Sequence, residues 1–303
     1  YCVKKKFFFV NYFKKNYFIF NIIFFIFSIF YVSAQLDVSQ VFNKNKFDFI
    51  KENYKNIGLD KITKKQDKTN DLIIIYLESF EENFLNPNFV SDEVIKNLEF
   101  KKYNSKKVKK FISSKYNTFT IGGIVSSQCG IPQKPVGIFD TEINDKKNRG
   151  KHNKSGGIGL HAFLPKAICL GDILKKFEYE NIFLSAINSS FQATDIFYSQ
   201  HGYQQIIDKN YFNKNVDKKN FSTWAGGVSD SILFNEAKSI INELKNRGKN
   251  FNLNILTTDT HHPGYIDKNC QAVFKKNDED LTKAITCTSN SLNSRPRLPG
   301  MPA

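Results

Sequence analysis

A chain of 303 residues with Lys+Arg 44 against Asp+Glu 29, a net charge of +15, has room for one large domain with a membrane anchor or for two small domains. That excess of positive charge points to nucleic acid, an anionic membrane or an anionic substrate. Nucleic acid is not the expected partner: the lysines are scattered among asparagine, isoleucine and phenylalanine, and no nucleic-acid motif accompanies them.

The first predicted element is a membrane helix. Residues 16–36 carry no charge and residues 17–32 are nearly all apolar; about 20 such residues span a bilayer core. Lys4, Lys5, Lys6, Lys14 and Lys15 precede them. Basic flanks stay cytoplasmic, so residues 1–36 read as a flank and anchor in the inner (cell) membrane, with the bulk of the chain facing the periplasm or exterior. The rival reading is a cleaved signal peptide ending near Val32-Ser33-Ala34, against which stands the length of the apolar stretch. The sequence begins at Tyr1 and its single methionine is Met301, so it reads as a piece of a longer protein. Residues 37–70 are polar, with Phe47, Ile50, Tyr54 and Ile57 at helical spacing, as in a connecting arm.

Residues 71–294 read as one α/β domain. The continuous apolar run over 71–77 predicts a parallel strand covered on both faces, ending in Glu78-Ser79. A helical pattern follows at 92–98, then a basic stretch at 101–110. A hydroxyl, Thr120, opens a glycine-containing helix, Thr120-Ile121-Gly122-Gly123 onward. Residues 141–160 are polar and glycine-rich, a surface loop. A helix over 169–177, a strand over 181–186 and a polar turn at Asn188-Ser189-Ser190 come next. An amphipathic helix is predicted at 231–244, with Ile232, Leu233, Ala237, Ile240, Ile241 and Leu244 on one side. The strand 251–256 then runs into Thr257-Thr258-Asp259-Thr260-His261-His262-Pro263. This alternation makes a mostly parallel sheet flanked by helices. Residues 295–303 lack the lysine, asparagine, isoleucine and phenylalanine of the rest and read as an atypical tail.

Four cysteines lie beyond the anchor: Cys129, Cys169, Cys270 and Cys287. An even count in an exported domain suggests two disulfides, with three pairings open. Cys270 with Cys287 closes a local loop and is favoured, which leaves Cys129 with Cys169; four reduced, buried cysteines is the alternative.

In a parallel sheet, ligands gather at the carboxyl ends of the strands. Glu78, Asn188 and the cluster 259–262 all sit at such ends, and Thr120 can join them from its helix. A carboxylate, an imidazole and a hydroxyl around an oxygen-loving metal form a phosphoryl-transfer centre. Each has a plainer reading: Glu78 as a turn residue, Thr120 as an ordinary cap, the histidines as loop residues bonded to backbone.

The segments Tyr76-Leu77-Glu78-Ser79 and Phe119-Thr120-Ile121-Gly122-Gly123-Ile124-Val125-Ser126-Ser127-Gln128-Cys129-Gly130-Ile131-Pro132 resemble the phosphoglycerol transferases that decorate osmoregulated periplasmic glucans. These are relatives of lipoteichoic acid synthase in the alkaline phosphatase/sulfatase superfamily. The likeness continues through residues 163–172, His201-Gly202-Tyr203 and residues 256–263, and covers residues 45–290. The resemblance implies that Glu78 ligates a divalent metal, Mn2+ or Mg2+. It implies that Thr120 is both ligand and nucleophile, taking phosphoglycerol from a phosphatidylglycerol-type lipid and passing it to a glucan or other hydroxyl acceptor. His261 matches a substrate-phosphate histidine, with His262 one position away, and Asn188 falls near an acidic substrate residue of the lipoteichoic branch. That branch's tryptophan and arginine have no counterpart among Phe191, Gln192 and Thr194.

The family also completes its metal site with an Asp-His pair beyond the double-histidine loop, and none follows Cys287 here. Weak metal binding and low activity are therefore expected of this sequence by itself. Two alternatives stand beside the transferase: a sulfatase or phosphodiesterase of the same superfamily, and a non-catalytic membrane-anchored pseudoenzyme. Thr120 lacks the Cys/Ser-x-Pro-x-Arg context of a maturing sulfatase.

Overall fold

The computed structural model describes Tyr17, residues 19–33, 58–63, 70–88, 90–99, 105–106, 108, 113, 117–132, 162–221, 224–270, 272 and 279–293. The chain divides into two units, residues 1–54 with 134–145 and residues 55–133 with 146–303. In the first, residues 19–33 are helical, and Phe20, Phe24, Phe25, Phe27 and Phe30 are exposed. Among the described residues no helix is long and apolar enough to cross a membrane. Most of the expected connecting arm, most of the basic stretch 101–110, the loop 141–160 and the tail 295–303 lie outside the described residues.

The second unit is built on a sheet whose described strands are β1 (Leu72–Tyr76), β2 (Glu180–Ser185), β3 (Gln205–Ile207) and β4 (Phe251–Leu256), in the order β1-β4-β2-β3. Every pairing is parallel; Tyr76 and Ser185 both lie opposite Leu256. The carboxyl ends of β1, β2 and β4 are therefore level, and the loops leaving them meet at one edge. β1 departs from the expectation of a strand covered on both faces. It is half-buried along its length, because among the described strands it pairs with β4 alone.

Seven α-helices are described in this unit: α1 (Asp92–Glu99), α2 (Thr120–Cys129), α3 (Leu170–Lys176), α4 (Thr194–Gln200), α5 (Lys209–Asn215), α6 (Asp230–Asn246) and α7 (Asp280–Asn293). Side chains alternate across a strand, and here the two faces differ in chemistry. Ile182, Leu184, Leu253 and Ile255 pack with Leu233, Ile241 and Leu244 of α6 and Ile285 of α7. Each such buried aliphatic side chain contributes about 1.5–3 kcal/mol. The opposite face carries Asn181, Asn252 and Asn254, all buried. Gln128 of α2 donates through Nε2 to Tyr76 Oη (2.7 Å) and Asn254 Oδ1 (2.9 Å), and Tyr203 Oη donates to Gln128 Oε1 (3.1 Å). Asn252 Nδ2 donates to Asn181 Oδ1 (3.0 Å). A satisfied polar network of this kind fixes one arrangement, since any slip strands buried donors. It ties the C-terminal half of α2 to β1, the two elements that carry Thr120 and Glu78.

Close backbone approach explains two glycines. A Cβ at Gly171 would lie 2.2 Å from the His201 carbonyl oxygen, and one at Gly202 would lie 2.4 Å from the Gly171 carbonyl. Asn181 Nδ2 donates to the carbonyls of Gly171 and Gly202, at 3.0 and 2.9 Å. The start of α3 is thereby held against the end of α4.

Both expected disulfides are formed, Cys129–Cys169 and Cys270–Cys287, with Cα–Cα separations of 4.1 and 5.6 Å. The first joins the last turn of α2 to the residue capping α3; the second joins the loop after β4 to α7. Closing loops of 40 and 17 residues restricts the unfolded chain by about 3–4 kcal/mol each. Replacing Cys129 and Cys169 by serine is accordingly expected to lower the stability measured by urea denaturation by about that amount. A loss below about 1 kcal/mol would show that the bridge does not constrain the unfolded chain.

Candidate active site

Glu78 follows β1 at the sheet's carboxyl edge and is held by the loop after β4. Its N–H donates to Thr257 Oγ1 (3.1 Å), and Thr260 Oγ1 donates to its carbonyl oxygen. Ser79 adopts a left-handed φ of 52° and donates through Oγ to Glu78 Oε1 (3.1 Å). Thr120 is the first residue of α2; Phe119, not Thr120, is the N-cap, so the plain capping reading does not hold. Thr120 Oγ1 donates to Glu78 Oε2 at 2.9 Å. A carboxylate and a hydroxyl separated by 42 positions in sequence meet because the helix start and the strand end share one edge.

They open onto a cavity of about 240 Å³ lined by residues that include Asn188, Ser189, Phe191, Gln192, Thr258 and His261. The structure thus brings Glu78, Thr120, Asn188 and His261 together. His262 is exposed and lies outside that lining. His261 Nδ1–H donates to the His262 carbonyl (3.0 Å), which orients the ring. Three contributors do not stand out in the sequence. Thr257 and Thr260 cradle the Glu78 peptide, and the Thr-Thr-Asp-Thr run is the available signal, since threonine hydroxyls readily bond backbone. Gln192 Oε1 accepts the N–H of Ile121, in the first turn of α2, at 3.1 Å. Gln192 and Ala193 both take left-handed φ, 54° and 56°, at a cost of about 1–3 kcal/mol each.

Asp259, expected among the chemical residues of this edge, turns away from the cavity into a buried pair. Its Oδ2 accepts the N–H of Asp230 at the start of α6 (2.9 Å), and Asp230 Oδ1 accepts the N–H of Thr258 (2.9 Å). Thr288 of α7 donates to Asp230 Oδ2 (2.8 Å). Among the described residues Asp259 Oδ1 has no hydrogen-bond partner. Burial first, and the neighbouring Asp230 carboxylate second, push the Asp259 carboxyl up to about 9. Burial also raises Asp230, to about 6.

Two facing oxygen ligands, Glu78 Oε2 and Thr120 Oγ1, suit a hard divalent cation such as Mg2+ or Mn2+ in kind. They supply only part of its shell. Among the described residues, the one cluster of three metal-ligating types lies elsewhere: Cys169, Asp172 and His201. Its sulfur is consumed by the disulfide, Asp172 Oδ2 accepts the Cys169 N–H (2.9 Å), and His201 Nδ1 pairs with that same carboxylate (3.0 Å). That cluster is structural.

The fold and this edge define a parallel α/β protein with a hydroxyl–carboxylate site at the ends of its strands. The chain belongs to the Sulfatase family, whose profile matches residues 143–295. It is 33% identical over 226 residues to a phosphoglycerol transferase I from Xanthomonas campestris pv. campestris (strain B100), an alignment covering 73% of this chain and 30% of that protein. The chain thus spans about a third of that relative's length. Among solved structures, a protein of the alkaline phosphatase superfamily from Vibrio parahaemolyticus superposes with a TM-score of 0.56 at 18% identity, over 75% of this chain and 50% of that one. The lipoteichoic acid synthase LtaP from Listeria monocytogenes gives 0.54 at 19% identity, over 74% and 50%. Both likenesses speak to the fold.

Proposed function

We propose that this chain carries the nucleophile of a membrane-anchored phosphoglycerol transferase whose catalytic domain faces the periplasm or exterior. The observation behind this reading is the Thr120 Oγ1–Glu78 Oε2 contact of 2.9 Å at the mouth of the cavity, together with the name of the Xanthomonas relative. The donor is a phosphatidylglycerol-type lipid and the acceptor a glucan or other hydroxyl compound. Glu78 and Thr120 would hold Mn2+ or Mg2+, which, when bound, lowers the hydroxyl pKa and screens phosphate charge. Thr120 Oγ attacks phosphorus; the new P–O bond forms as the P–O bond to diacylglycerol breaks. The Thr120 proton passes to water, and the departing diacylglycerol oxygen, which in-line displacement places on the opposite side of phosphorus, takes one up from water, while Glu78 keeps its charge toward the cation. In the second half the acceptor hydroxyl attacks the phosphothreonine; the new P–O bond forms as the P–O bond to Thr120 breaks, the acceptor proton passes to water and Thr120 Oγ takes one up. His261 and Asn188 bind the phosphoglycerol group.

Membrane vesicles test chemistry and orientation together. Right-side-out vesicles supplied with an external glucan should release diacylglycerol and label the glucan, and sealed inside-out vesicles should not. Glu78→Gln keeps an oxygen facing Thr120 but loses the charge, and it should reduce Mn2+-stimulated release at least about 10²-fold. Equal labelling in both vesicle types defeats the orientation; wild-type turnover in Glu78→Gln defeats the site.

A further inference from the structure

The loop between β2 and α4 presents two carboxamides to the cavity, and both are tied in the same way. Asn188 Oδ1 accepts the N–H of Ser190 (2.9 Å), and Gln192 Oε1 accepts the N–H of Ile121 (3.1 Å). A backbone N–H can pair only with the oxygen of a carboxamide, so each side chain has its orientation fixed. Each nitrogen, with two donor hydrogens, is left on the other side. Among the described residues no acceptor is bonded to Gln192 Nε2, and Gln192 lines the cavity with Thr120. Its anchor, Ile121, is the residue directly after Thr120 in the first turn of α2. Two successive left-handed residues hold it there, although neither is glycine. The described lining contains Glu78 and His261 but no lysine or arginine, so hydroxyl and carboxamide groups are its other described hydrogen-bond donors.

Resting on the phosphoryl-transfer reading above, we propose that Gln192 is a substrate-contacting residue whose Nε2 donates to a non-bridging oxygen of the phosphoryl group while it is attached to Thr120. A residue that merely capped Ile121 would behave differently on substitution. Gln192→Glu keeps an oxygen for the Ile121 N–H, removes both donor hydrogens and sets a negative charge beside the phosphate. Gln192→Ala removes the anchor and the donors without adding charge.

The test compares these variants in the full-length enzyme. Diacylglycerol release by Gln192→Glu is expected to fall about 10²–10³-fold in kcat/KM, and further than that of Gln192→Ala. A capping role alone gives the reverse order, so Gln192→Glu at or above Gln192→Ala overturns the proposal. Wild-type enzyme without turnover would defeat the transferase reading. The side-chain amide resonances of 15N-labelled Gln192, titrated with inorganic phosphate, then decide the matter separately. Displacement supports the contact, and an unmoved Gln192 amide overturns it, wherever else phosphate binds.

Discussion

Thr120→Ala is expected to fold as the wild type and to transfer nothing from phosphatidylglycerol, a fall in turnover on the order of 10⁴–10⁶-fold by analogy with removal of other covalent nucleophiles. The fold should survive because the Thr120 side chain makes one described hydrogen bond, to Glu78, and α2 is held instead by Gln128 and Cys129 near its other end. No other hydroxyl of α2 stands in its first turn. Ser126 Oγ donates to the Gly123 carbonyl and Ser127 Oγ to that of Ile124, both further along the helix. In the wild type, mass spectrometry of enzyme trapped with labelled lipid should find phosphoglycerol on Thr120. An adduct on another residue, or turnover surviving in the alanine variant, would remove the covalent mechanism.

The second large effect concerns stability and pH. Asp259 and Asp230 are both raised in the folded protein, Asp259 to about 9, whereas an unfolded aspartate titrates near 4. Between those values the folded state binds more protons than the unfolded state, so stability falls as pH rises. The full contribution is present at about pH 4 and is lost progressively up to about pH 9, with a slope of up to about 1.4 kcal/mol per pH unit per proton. Urea midpoints should therefore be higher near pH 5 than near pH 8. Asp259→Asn removes the charge while keeping an oxygen for the Asp230 N–H; it should flatten that slope and raise the midpoint near pH 8. A midpoint that rises with pH in the wild type, or an unchanged slope in Asp259→Asn, would mean that the pair is ionised and compensated.

The parts of this architecture legible in sequence are those written locally. The apolar runs of β1, β2 and β4 and the 3.6-residue stripe of α6 mark their own elements, and their parallel order places Glu78, Thr120 and His261 at one edge. The parts that escape a sequence reading depend on long-range pairing. β3 has three residues, Gln205–Ile207, too few for any alternation to register. α7 (Asp280–Asn293) is rich in threonine, serine and asparagine, residues that favour turns and caps over helix interiors, and its pattern does not announce a helix. It exists because Ala284, Ile285 and Leu292 are buried and Thr288 reaches Asp230. The Asp230–Asp259 pair joins a helix start to a strand end 29 positions away. Gln192 acquires its place only through a backbone conformation that its residue type does not announce.

The Cys129–Cys169 bridge has a consequence for covalent connectivity. It turns residues 129–169 into a ring, so the segment carrying Glu78 and Thr120 is joined to the segment carrying Asn188, Gln192 and His261 by two routes. A single peptide-bond break anywhere between the two cysteines opens the ring without separating the halves of the site. Such a nicked molecule would run as one band on a non-reducing gel and as two after reduction, with the nucleophile on the N-terminal piece. Of the chain between Thr120 and Asn188, the stretch from 130 to 168 is thus the part that can be cut while Thr120 stays tethered to the residues that face it.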